Sequence, residues 1–109
     1  MVHLDDLTDL YVRAAETGLG TALFNAVDRS RFTVREMAEA ASRAAGARGA
    51  VKSLTLPEAE KLYGPMAHGL AMDQRVDSTK VLNFLGWSPR FNGFPANADR
   101  LFSSWKACR

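Results

Sequence analysis

The chain has 109 residues, 47% apolar and 24% charged, with a formal net charge of +2 and one cysteine, Cys108. That length suits one domain whose core buries roughly two-thirds of the unfolded surface. The small charge gives no ground for nucleic-acid binding, and a lone thiol excludes an internal disulfide or a cysteine-built metal site. No apolar run nears the ~20 residues of a membrane span, and the first residues lack the basic-then-apolar order of a secretion signal. The expected location is cytoplasmic.

In chain order, Leu7, Leu10, Tyr11, Ala14 and Ala15 fall at helical spacing and predict a helix over Leu4–Thr17, ended by Gly18 and Gly20. Asp5 and Asp6 then lie in its first turn, at the positive end of the helix dipole. The short apolar run of residues 22–27, ALFNAV, has the length of a buried strand. Thr33-Val-Arg-Glu36 is a capping box, and the helix behind it should stop at Gly46. Residues 51–54 read as a second short strand. Thr55-Leu-Pro-Glu58 starts a short helix, with Pro57 tolerated in its first turn. Gly64-Pro65 breaks the chain, and residues 66–72 allow one or two helical turns. Asp77-Ser-Thr caps a helix with Val81, Leu82 and Leu85 on one side and Gly86 at its end. After a Gly/Asn/Pro-rich loop, residues 98–108 read as a last amphipathic helix with Leu101, Phe102 and Trp105 inward.

Few residues suggest self-contained chemistry. GLGTAL, residues 18–23, has glycines but follows a helix and precedes a strand, the reverse of a dinucleotide fingerprint, and Leu23 stands where a third glycine is needed. His3 and His68 are the only imidazoles and have no ligand cluster around them. A base-and-orienter pair of His3 with Asp5 or Asp6 is set against helix capping by the carboxylates, and capping is the simpler reading. Ser103 and Ser104 have no neighbouring histidine. Neither Tyr11 nor Tyr63 is followed four positions on by lysine. Arg29, Arg31, Arg35, Arg43 and Arg48 interleave with Asp28, Glu36 and Glu39, a mixed-sign solvated face.

Together the segments resemble a family. VHLDDLTDLYVRAAE is similar to the "hVxDlaxaxxxaxe" helix of the extended short-chain dehydrogenases/reductases, the NAD(P)-dependent epimerase/dehydratase family. ALFNAVD resembles the strand that follows it, TVREMAEAASRAAG the next helix, and DSTKVLNFLGWSPR the late "DxsKaxxxLGwxP" signature. The four occur in the family's order and span nearly the whole chain. The resemblance implies an α/β fragment, mostly helical: residues 1–28 as the edge helix and strand of a Rossmann-type parallel sheet, and residues 29–109 as a small substrate-binding lobe. It implies that the cofactor fingerprint and the catalytic Tyr-x-x-x-Lys precede VHLDDL, so that this chain holds no catalytic residue, binds no cofactor alone and is inactive alone. NAD or NADP would serve the full-length enzyme. Gln74, Arg75 and His68 are its candidate substrate-binding residues; the family's usual Arg-then-Asp spacing is missing there, which favours a smaller carbonyl or hydroxyl compound over a nucleotide sugar. A strand adapted to burial on both faces would leave apolar surface bare in this chain, so self-association through residues 4–27 is expected.

Overall fold

The computed structural model describes residues 1–18 and 20–109. Leu19, within GLGTAL, lies outside the described residues. Among the described residues six α-helices follow in order: α1 Leu4–Thr17, α2 Val34–Ala44, α3 Leu56–Tyr63, α4 Met66–Ala71, α5 Thr79–Leu85 and α6 Ala98–Ala107, with a 3-10 turn at Pro95–Asn97 ahead of α6. None is long and apolar enough to cross a membrane.

The helix ends have local causes. Thr33 Oγ1 accepts from the Glu36 N–H at 3.2 Å while the Glu36 carboxylate accepts from the Thr33 N–H at 2.7 Å, closing the box at the start of α2. At α3 the Glu58 carboxylate likewise takes the Thr55 N–H at 2.7 Å. Hydrogen bonds from Thr79 hold the Asp77 carboxyl below its ordinary range at the head of α5. Gly86 ends α5 at φ +61°, a conformation that side chains other than glycine rarely take, and its N–H returns to Leu82 O.

The two strands expected at 22–27 and 51–54 do not form: both segments lie outside regular structure, and no strand occurs among the described residues. The physical reason is pairing. A strand exists through the ladder it makes with a neighbour, and residues 22–27 have none; the nearest backbone bond runs from the Asp28 N–H to Met1 O at 2.6 Å. Their side chains still alternate. Phe24 and Ala26 pack on the core, but Leu23 is 83% exposed. Burial on both faces is therefore also corrected: one face is covered and the other is bare.

The core is small. Leu10 of α1, Val81 of α5 and Trp87 are buried together, with Val2, Phe24, Ala26 and Leu85 against them. Lys80 Nζ donates to Leu23 O at 2.8 Å and sits 5.2 Å from the Phe24 ring, fastening residues 23–24 to α5. Among the described residues the helices pack as three separate pairs: α1 with α5, α2 with α6 and its 3-10 turn, and α3 with α4. Ala40 and Ala98 are the buried residues of the second pair. Trp105, expected inward, is 51% exposed, lying beside Phe102 and under Arg109. The α2 face that α6 meets is built of alanines too short to cover an indole.

Loops join the first two pairs. Gly93 is buried at φ +75°, and a Cβ there would lie 2.7 Å from Ser30 Cβ and 2.8 Å from the Phe32 ring, so only glycine fits this crossing. The result is an open molecule. Its surface of 8431 Å² compares with about 5,950 Å² for a compact monomer of this mass, and its radius of gyration of 16.8 Å with about 13 Å. Folding hides only about half of the unfolded surface, not two-thirds.

Candidate functional site

The strongest polar assembly joins the two ends of the chain. Asp6 follows Leu4 and Asp5 in the first turn of α1 and shares a stripe with Leu10 and Ala14 at fourfold spacing, which turns it into the core at 1% exposure. Its carboxylate accepts the Arg90 N–H at 3.1 Å and the Phe91 N–H at 3.1 Å, and Arg90 Nε approaches at 3.4 Å. The Asp6 carbonyl accepts from the Trp87 indole Nε1 at 2.9 Å. Burial works against ionisation of Asp6, but the N–H groups of Arg90 and Phe91 and the Arg90 side chain outweigh it and hold the carboxyl below the usual aspartate range. With its acceptor positions engaged, this carboxylate positions a loop; it is not a poised proton carrier.

Beside this joint lies a cleft of about 240 Å³ lined by Val2, His3, Asp28, Phe91, Phe94 and Asn97 among others. His3 is the N-cap of α1: its Nδ1 accepts the Asp5 N–H at 3.2 Å. Capping thus falls to His3 and not to the carboxylates. The ring stacks on Phe91 with centroids 3.8 Å apart, and Arg100 lies 4.6 Å from the same Phe91 ring. Asp28 Oδ1 accepts from the Ser30 N–H at 3.0 Å and from the Ser30 hydroxyl. Asn97 donates to Gly93 O at 2.9 Å. The cleft can seat a small, largely apolar body. It holds no paired nucleophile and base.

The residues singled out from sequence sit elsewhere. Gln74 and Arg75 are exposed in the connection between α4 and α5. His68, on α4, makes an ion pair with Glu60 of α3 when protonated. None of the three lines the cleft at His3 or the shallower one between α2 and α6. Among the described residues no three His, Cys, Asp or Glu side chains converge as metal ligands. Gly18 closes the C-terminal end of α1 in the left-handed conformation, whereas the glycines of a dinucleotide fingerprint lead into a helix N-terminus.

Sequence reasoning named Asp6 only together with Asp5, as a first-turn carboxylate, a helix cap or an orienter of His3, and missed its burial against the 87–91 turn. The signal was present: only Asp6, not Asp5, falls in register with Leu10 and Ala14. Comparison of the chain with protein-family models, with curated proteins and with solved structures returned no match.

Proposed function

We propose that this chain is the carboxyl-terminal, substrate-binding portion of an NAD(P)-dependent epimerase/dehydratase or reductase of the extended short-chain type, inactive alone. In this reading the preceding residues of the same polypeptide carry the cofactor fingerprint and the Tyr-x-x-x-Lys pair, and NAD or NADP binds there. The observation that carries it is the Asp6 joint. Two stretches that bear the resemblance, VHLDDL and LGWSPR, lie over 80 positions apart and are bonded to each other through a buried carboxylate and a buried indole. The bare face beside the joint supports it further: Tyr11, Val12, Leu23 and Phe84 are all exposed on α1, α5 and the run between them. Residues 22–27 would gain a ladder, and strand form, from a sheet supplied by the preceding residues. Gln74, Arg75 and His68 remain the proposed substrate contacts, with a small carbonyl or hydroxyl compound as substrate.

The test is the size of the native polypeptide in its source cells, probed with an antibody against residues 77–90. A band well above 11.9 kDa is expected. A single band at that mass would overturn the reading, as would NAD(P)H-dependent turnover of a carbonyl compound by the isolated chain. The same bare face favours one other reading, a free-standing module that self-associates through residues 4–27, which the low-mass band would bring forward.

A further inference from the structure

We propose that Asn92 is a site of spontaneous, non-enzymatic modification, and that its conversion to isoaspartate loosens the crossing at Gly93. Asparagine is a thermolabile residue, because its side-chain carbonyl lies within reach of the next backbone nitrogen. Here the Gly93 nitrogen attacks Cγ of Asn92 and a C–N bond forms. The side-chain amide nitrogen departs as ammonia, with the proton that the Gly93 nitrogen gives up. Water opens the resulting cyclic imide at either carbonyl. Opening at Cγ leaves aspartate; opening at the backbone carbonyl leaves isoaspartate, whose main chain runs through Cβ and Cγ. Water is the sole co-reactant. Neighbour, exposure and hydrogen bonding all single out this asparagine. Only Asn92 is followed by glycine; Asn25 and Asn97 precede alanine and Asn83 precedes phenylalanine. Glycine has no Cβ to shield the attacking nitrogen. Asn92 is exposed and outside the helices, whereas Asn83 sits within α5, whose hydrogen bonds hold the main chain. Asn97 engages its side-chain amide with Gly93 O at 2.9 Å. Among the described residues neither the Asn92 side-chain amide nor the Gly93 N–H has a partner.

The place of Asn92 in the fold makes one added carbon consequential. On one side the Phe91 N–H is held by the buried Asp6 carboxylate at 3.1 Å. On the other, Gly93 passes so close to Ser30 and Phe32 that a Cβ would lie 2.7 Å from the first and 2.8 Å from the second. Isoaspartate lengthens the main chain between these two anchors. The extra length displaces one of them: Phe91 leaves Asp6, or Gly93 leaves Ser30 and Phe32. Either shift weakens the loop contact that joins the α1–α5 pair to the α2–α6 pair. Aspartate does neither. It lowers the formal net charge of +2 by one, on an exposed side chain, and keeps the main-chain length. The inference stands apart from the proposed enzyme family.

The experiment ages the purified chain in warm, mildly alkaline buffer and follows each asparagine by peptide mapping with mass spectrometry. Isoaspartyl carboxylates are counted by enzymatic methylation, and urea unfolding is compared between fresh and aged samples. The mass gain that marks exchange of an amide for a carboxyl should appear at Asn92 ahead of Asn25, Asn83 and Asn97, mostly as isoaspartate. The urea midpoint should fall in step with it. Asn92→Gln, whose longer side chain disfavours the ring, should stop both changes. Asn92→Asp, measured fresh, should unfold at the wild-type midpoint, which separates the added charge from the added carbon. A folded chain that keeps Asn92 intact, conversion spread evenly over the asparagines, or an aged chain with the fresh midpoint would each overturn the proposal. So would a fresh Asn92→Asp chain as weak as the aged one.

Discussion

The joint around Asp6 and the hairpin of α3 and α4 are opposite solutions to the same shortage of core. At the joint a carboxylate, an indole and two backbone N–H groups from distant parts of the chain are taken out of water together, each with a partner. In the hairpin two neighbouring helices touch through small side chains and leave their bulk outside. Among the described residues, long-range polar satisfaction therefore fixes the cluster of Leu10, Val81 and Trp87, and the local contact of α3 with α4 fixes no comparable cluster. Stability should be concentrated in the first region and nearly absent from the second.

That contrast can be broken most forcefully at Trp87. Trp87→Ala removes a fully buried ring and the donor to the Asp6 carbonyl, and should cost about 3–5 kcal/mol in urea unfolding. Asp6→Ala should follow at about 1–3 kcal/mol, because the Arg90 and Phe91 N–H groups lose their buried acceptor. Acid sharpens this second case. The Asp6 carboxyl is held below its ordinary value in the folded chain, so its stabilisation is full above about pH 4. It is lost as pH falls through the lowered folded value. Unfolding free energy should therefore drop more steeply below pH 4 in the wild type than in Asp6→Asn, which cannot titrate there. Gly93→Ala should cost about 1–3 kcal/mol by forcing a Cβ against Ser30 and Phe32. Leu62→Ala should fall within about 0.5 kcal/mol of wild type. A large loss there would show that the hairpin carries more of the fold than its packing implies.

What the sequence disclosed follows from the same distinction. The extent of α1, the box at Thr33, the start of α3 after Thr55 and the stop at Gly86 are set by groups near one another in the chain, and spacing alone exposes them. The run ALFNAV failed as a strand because strand form depends on a neighbour that no local pattern can specify. Trp105 was misplaced for a related reason: the last helix is amphipathic, but the depth of the face opposite is decided by alanines on α2, some sixty positions earlier. The candidate site was legible only in pieces. His3 was weighed, yet its stacking on Phe91 and the burial of Asp28 beside it depend on loops meeting from three parts of the chain. Asp6 could have been found from its register with Leu10, although its partners at 90 and 91 could not.

The separation between Asp6 and Trp87 also sets a timetable. Helices α3 and α4 are sequence neighbours and can meet as soon as both are made, whereas α1 must wait for residues 87–91. At translation rates of 5–20 residues per second, that wait is about 4–16 s. Throughout it Leu10 lacks the Val81 and Trp87 it packs against in the finished fold, so α1 leaves the ribosome as an amphipathic segment open to holding factors. Ribosome stalling just before codon 87, with proteolysis of the nascent chain, should find α1 cleavable, and stalling beyond the release of residue 91 should find it protected.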